Sequence, residues 1–404
     1  MLRDCQVRGR YVLDVASNGA VVGLFAGIGG IELGLHEAGY ETALLCEVDP
    51  AAKAVLQARF PDVELHDDVA DLKALPDDCA VLTAGFPCQD LSQAGRLAGI
   101  DGSRSGLVGH VFRLLDGAQT PPDWLVLENV PFMLQLDRGR AMQPLTEQLD
   151  ERGFRWAYRI VDARAFGVPQ RRRRVLLVAS RTLDPRPVLF SEDAQEPPEP
   201  DSSDVACGFY WTEGNTGLGW AVDAVPTIKG GSGLGIPSPP AIWMQDGSIV
   251  TPDIRDAERL QGFEADWTLP AVEAGHRASL RWKMVGNAVC VPMAAWLGKQ
   301  LADNRDWDDS RLEIRLDGVS RWPAAAWGED GLVSEVVVSE WPIEVERPCL
   351  TEFLRYDPAP LSERAINGFR ERLAASSLRH PPKFMTDLAA ATDGKTDHVP
   401  VAQP

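Results

Sequence analysis

Six short apolar runs fill residues 20–180, with turns or stretches of helical composition between them, and they constrain the fold more than any other feature. The runs are Val21–Phe25, Thr42–Val48, Ala80–Ala84, Trp124–Glu128, Arg155–Val161 and Val175–Ala179. Runs so rich in Val, Leu and Ile suit strands that are buried on both faces. Between them, segments such as Ile31–Ala38 and Ala51–Arg59 have the composition of amphipathic helices. The alternation predicts an α/β fold with a doubly wound, mostly parallel sheet covered by helices on both sides. In such a sheet ligands bind in the crevice beyond the carboxyl ends of the strands. The residues that follow each run are therefore the ones to read.

After Ser180 the character changes: Pro, Gly, Ser and Trp dominate up to about Ser248, which predicts a small, loop-rich second domain. Helical patterning returns at Asp253–Gly262 and Val291–Ala302, so the chain is expected to come back and complete the first domain. Beyond Asp303 lies an acidic stretch with several tryptophans, and from about Thr386 its composition predicts no fixed structure. The seven cysteines (Cys5, Cys46, Cys79, Cys88, Cys207, Cys290, Cys349) are scattered, with no Cys-x-x-Cys pair, which reads as free thiols without a metal. Neither a signal segment nor an apolar stretch long enough for a membrane span is visible, which predicts a cytoplasmic protein.

Four strand ends carry candidate chemistry. The first is Gly23-Leu-Phe25-Ala-Gly27-Ile28-Gly29-Gly30, where glycines let backbone approach a ligand, and Glu47 and Asp49 stand where an acid could accept ribose hydroxyls. A plain tight turn is the other reading. The second is Gly85-Phe86-Pro87-Cys88-Gln89-Asp90-Leu91-Ser92. A lone cysteine is usually a small buried hydrophobe, but Pro87 and the strand end place this thiol where a substrate could reach it. The third is Glu128-Asn129-Val130, where the acid is either a helix cap or a partly buried carboxyl. The fourth is Gln170-Arg171-Arg172-Arg173-Arg174, which on its own reads as a solvated charged face. Although the formal charge is −19, Glu151–Pro187 holds ten arginines against three acids, a local surplus of seven positive charges that suits a polyanion.

The order of these motifs resembles the DNA (cytosine-5)-methyltransferase family. So do two later segments, Arg255-Asp-Ala-Glu-Arg-Leu-Gln-Gly-Phe263 and Lys283-Met-Val-Gly-Asn287-Ala288-Val289. The resemblance covers roughly residues 20–302 and implies a Rossmann-like methyltransferase domain (20–180), a target-recognition domain (181–250), a return segment (251–302) and an extension of unknown role (303–404). It implies S-adenosylmethionine as cofactor, double-stranded DNA as partner, and action as a monomer on DNA beside a possible companion restriction endonuclease. The location would be the cytoplasm, at the nucleoid or in a viral host. Cys88 would be the nucleophile, with Glu128, Arg172 and Arg174 completing the catalytic set. Phe25, Gly27, Ile28, Gly29, Gly30, Glu47, Val48, Asp68, Pro87, Leu107, Asn287 and Ala288 would hold the cofactor. Gln89, Ser92, Arg104, Gln170, Arg172, Thr227, Lys229 and Gly230 would meet DNA, although Thr227–Gly231 also reads as a plain linker. An RNA cytosine methyltransferase of the same fold and a catalytically silent DNA-binding protein are the competing implications. The first is disfavoured by Phe86-Pro87-Cys88-Gln89, the second by the joint presence of Cys88, Glu128 and Arg174.

Overall fold

In a computed structural model, residues 17–86, 106–215, 217–230, 238–303, 305–308, 313–316 and 321–392 are described. The strands are β1 (Ala20–Leu24), β2 (Glu41–Cys46), β3 (Glu64–His66), β4 (Cys79–Ala84), β5 (Trp124–Asn129), β6 (Arg155–Asp162), β7 (Gln170–Arg171) and β8 (Arg173–Ser180). They are followed by β9 (Cys207–Phe209), β10 (Ala221–Val222), β11 (Val225–Pro226), β12 (Ala241–Trp243) and β13 (Ile249–Thr251). Last come β14 (Glu313–Arg315), β15 (Ala325–Glu329), β16 (Leu332–Val336) and β17 (Ala359–Pro360).

Among the described residues, ten strands form one sheet in the order β14-β16-β15-β6-β8-β5-β4-β1-β2-β3. From β3 to β5 every pairing is parallel, as the βα alternation predicts. The central strands β1, β4 and β5 are mostly apolar and almost wholly buried because both faces are covered. Val22, Leu24, Leu125 and Leu127 pack into one core with Val111 and Leu114 of the helix Leu107–Gly117. Their neighbours Val21, Trp124 and Val126 pack into a second core with Ile31 and Leu35 of the helix Gly30–Glu37 and Met293 and Leu297 of Val291–Ala302. Each such side chain contributes about 1.5–3 kcal/mol by leaving water.

β8 runs antiparallel to both β5 and β6, so its first residues lie beside the last residues of β5: Asn129 pairs with Val175 and Glu128 with Leu176. This reversal brings the arginine run to the same edge of the sheet as the other motifs.

The acidic C-terminal stretch is where the structure goes beyond the sequence reading. β15, β16 and β14 add an antiparallel half to the main sheet at β6. Trp322 explains part of the tryptophan content: its ring packs on Trp156 and Tyr158, and its indole N–H donates to the Gly139 carbonyl at 2.8 Å. Downstream, β17 joins β13 in a second sheet, ordered β10-β9-β12-β13-β17. The helices Glu363–Ala374 and Pro382–Ala390 close over that sheet, with Phe369 and Phe384 each 5.0 Å from the Phe209 ring. The expectation of no fixed structure from Thr386 is corrected for its first residues: Thr386 lies within the helix Pro382–Ala390, whose Leu388 is fully buried and whose Asp387 accepts from the Trp243 indole at 2.8 Å, while residues 393–404 lie outside the described residues. Strands of two or three residues in β9–β13 cannot enclose a core alone. The apolar stripe of these two helices supplies the missing half. Among the described residues, no helix is long and apolar enough to cross a membrane.

Candidate active site

Between β1 and its helix the backbone takes left-handed conformations at Phe25 (φ 56°), Gly27 (φ 58°) and Gly29 (φ 82°). Such strain at Phe25 persists only when surrounding structure imposes it, and it concentrates at ligand sites. Gly29 and Gly30 are required by space as well. A Cβ at Gly29 would lie 2.4 Å from the Phe60 ring, and one at Gly30 would lie 2.5 Å from the Val289 carbonyl oxygen. A Cβ at Gly27 would meet nothing within 4 Å, so that side of its backbone is open to a ligand.

Glu47, just past β2, accepts from the Gly27 N–H at 2.7 Å and from the Asp49 N–H at 2.8 Å. Burial raises its pKa above the usual carboxylate value, while those backbone donors oppose the rise. Asp49 is committed to other partners: it caps the helix Pro50–Arg59 through Ala51 N–H at 2.9 Å and pairs with Lys283 at 2.7 Å. Val48 is 69% exposed, an unusual state for valine and one that suits a residue awaiting a flat apolar partner. Asp68 is exposed and turns one oxygen to the Ala70 N–H. Leu107 opens its helix half-buried, Ile28 and Ala288 are buried, and Asn287 is exposed at the rim.

At the far side of the crevice Glu128 and Arg174 meet: Nε of Arg174 lies 2.8 Å from Oε1 of Glu128, and both are about 90% withdrawn from water. Burial lowers the Arg174 pKa, and Glu128 opposes the fall. Gly85, Phe86, Glu128, Asn129, Val130, Arg174, Gly286 and Asn287 line a cavity of about 310 Å³ in front of this pair. Cys88, together with Pro87, Gln89, Ser92 and Arg104, lies outside the described residues. The segment after β4 that leads to it is held at Phe86, whose carbonyl accepts from Asn129 Nδ2 at 2.9 Å.

Arg172 and Gln170 depart from expectation. Both are fully buried. Arg172 donates to the carbonyls of Gly286 (3.1 Å), Ala288 (2.5 Å) and Ile228 (3.4 Å). Two of these carbonyls stand at the C-terminal end of the helix Leu280–Asn287, where the helix dipole favours a cation. Burial and the adjacent Arg174 still make the charge costly, pulling the Arg172 pKa down to about 9. Gln170 donates to the Leu260 carbonyl at 2.8 Å and accepts from the Ile228 N–H at 3.1 Å. These two side chains bind backbone rather than an open surface, and they fix the segment that follows β11 against the return segment. The close fit explains Gly286: a Cβ there would sit 2.4 Å from Gly230 N.

The residues that do face open space are their neighbours. Phe132, Arg171, Arg174, Tyr210, Thr227, Lys229 and Gly230 line a cleft of about 740 Å³. Thr227 Oγ1 donates to the Arg171 carbonyl at 2.9 Å, and Lys229 pairs with Glu213 and sits 3.7 Å from the Tyr210 ring centre. Thr227–Gly230 is thus a built wall and not a linker. Asn129 and Tyr210 had no expected role, although Asn129 stands inside the motif Glu128-Asn129-Val130. Tyr210 carries no local pattern.

Comparison with known proteins places this geometry. The family described as C-5 cytosine-specific DNA methylase matches residues 19–206. The Type II methyltransferase M2.BsuMI of Bacillus subtilis is 48% identical over 391 residues, covering 94% of this chain and all of that one. The chain belongs to the C-5 cytosine-specific DNA methylase family. Type II methyltransferase M.MspI of Moraxella is 27% identical, covering 70% of each chain. The crystal structure of the S. pombe Dnmt2 methyltransferase shares the fold at a TM-score of 0.52 and 18% identity, over 70% of this chain and 98% of that one. Members of this family take their methyl group from S-adenosylmethionine, and the strained Gly-rich turn, the Glu47 carboxyl and the exposed Val48 fit that molecule.

Proposed function

We propose that this DNA methyltransferase acts on carbon 5 of a cytosine flipped out of duplex DNA, through a transient bond from Cys88 to carbon 6 of the ring, the reaction of a DNA (cytosine-5-)-methyltransferase. The Glu128–Arg174 pair carries the proposal, since it sets an acid and a guanidinium together at the floor of a cavity whose edge, Gly85-Phe86, leads directly to Pro87-Cys88. A thiolate adding to carbon 6 pushes charge onto ring nitrogen 3 and the carbonyl oxygen. Glu128 meets the nitrogen, and Arg174 meets the oxygen while orienting Glu128. S-adenosylmethionine, when bound along Phe25–Gly30, Glu47, Val48 and Asp68, supplies a methyl group already activated by the sulfonium charge. A base cannot present its face to a thiol from inside the stack, so extrusion into the cavity is required. Arg171 and Lys229 would hold phosphates at the cleft while Thr227 and Gly230 approach the DNA, and Gln170 and Arg172 act from behind by fixing that wall.

The relatives' names support a place in a restriction–modification system with a companion endonuclease. Action as a monomer in the cytoplasm belongs to the same proposal. The test is methyl transfer to duplex DNA from labelled S-adenosylmethionine, with the product located by bisulfite sequencing. Wild-type protein is expected to label cytosine carbon 5 at one recurring site. Cys88→Ser is expected to bind DNA and cofactor without transferring methyl; undiminished labelling by the variant would refute the role of Cys88.

A further inference from the structure

Glu32 is a carboxylate in an unusual place. It sits in the first turn of the helix Gly30–Glu37 with 1% of its surface exposed, wedged between β1 and β4. Oε1 accepts from the Thr83 hydroxyl at 3.0 Å, while Oε2 is buried without a hydrogen-bond partner among the described residues. An orphaned buried oxygen costs free energy that a folded protein ordinarily avoids. Room for the group is also built in: a Cβ at position 23 would fall 2.2 Å from Oε1, so β1 carries Gly23 there. The carboxyl borders the narrow crevice enclosed by Phe25–Gly27, Gly85 and Asn287–Val289, on the cofactor side of Glu128. Among the described residues lining that crevice, none offers it a cation.

We propose that Glu32 binds the α-ammonium group of S-adenosylmethionine, with the oxygen that Thr83 leaves free receiving the ammonium N–H. The inference rests on the family's cofactor and adds a residue to its site. The chemistry is complementary: a primary ammonium brings three donors and a positive charge to an acceptor that lacks both. Burial pushes the free carboxyl up to about 7, against the pull of its own backbone N–H and the Thr83 hydroxyl, and nearby Glu47 pushes the same way. A cation in the crevice returns Glu32 to the charged form. The site takes an amino-acid ammonium and discriminates against a ligand that lacks it.

Calorimetric binding of two ligands tests this without turnover. S-Adenosylhomocysteine keeps the ammonium; 5′-S-(3-carboxypropyl)-5′-thioadenosine is the same molecule without it. Wild-type protein is expected to prefer the first, and Glu32→Gln to weaken it about 10- to 100-fold while leaving the second within about twofold. Glu32→Asp, which withdraws the carboxylate by one methylene, is expected to lose part of the preference, and it carries the test should Glu32→Gln not fold. Thr83→Val, which removes only the supporting hydroxyl, keeps the preference. Equal weakening of both ligands would mean that Glu32 merely ties helix to sheet and would overturn the proposal, as would an unchanged preference in both Glu32 variants.

Discussion

The cofactor wall of the crevice is built mainly from one local stretch and closed by Gly85 and Asn287–Val289, whereas the recognition wall is assembled entirely from widely separated stretches of chain. Gly23–Gly30, Glu47 and Asp49 span 27 residues, and Glu47 reaches Gly27 in a single hydrogen bond. The recognition wall needs β7, β11, the segment Thr227–Gly230, the helix Leu280–Asn287 and, behind them, the helices Glu363–Ala374 and Pro382–Ala390. Arg172 is the joint between the two: its guanidinium reaches Ile228 on one side, and Gly286 and Ala288 beside the cofactor turn on the other. Distant, independently packed sites respond independently to substitution, so damage to one wall should spare the other unless the joint itself is struck.

Phe369→Ala strikes the far end of the recognition wall. Removing a fully buried ring from between Phe209 and Phe384 costs about 3–5 kcal/mol, the largest effect expected. Duplex DNA binding should be lost while S-adenosylhomocysteine binds within about twofold of wild type. Parallel loss of both would break the separation. Arg172→Leu leaves buried carbonyls unpaired, and about 3 kcal/mol of unfolding free energy should go in a urea titration. Here both affinities should fall together, and a variant that loses DNA alone would show that Arg172 is no joint. Arg171→Gln is the mildest change. This side chain lines the cleft without an acidic partner among the described residues, so stability should hold while the salt dependence of DNA binding drops by about one phosphate contact.

The same contrast explains what could be read from sequence. Strand positions, the Gly-rich turn, Glu47 and the meeting of Glu128 with the arginine run were legible because each depends on a strand and the few residues after it. Which arginine faces outward was not. Side chains alternate across a strand, but β7 and β8 are separated by a break at Arg172, and its burial is decided by carbonyls more than 50 residues away. The C-terminal helices were missed for a related reason. Their apolar stripe of Ile366, Phe369 and Leu373 is helical in spacing, but the surface it covers lies in β9 and β12, more than 120 residues earlier. Glu32 was invisible too, since an acid in the first turn of a helix ordinarily faces water.

Formation of a covalent bond between Cys88 and the target cytosine is the claim on which the mechanism depends. It can be read by intact-protein and peptide mass spectrometry after incubation with S-adenosylmethionine and a duplex carrying 5-fluorocytosine at the methylated site, where fluorine on carbon 5 cannot leave as a proton does. A stable protein–DNA adduct on the Cys88 peptide, absent in Cys88→Ser, is the expected result. Methylation of ordinary duplex with no adduct on the fluorinated one, or an adduct on another residue, would contradict it.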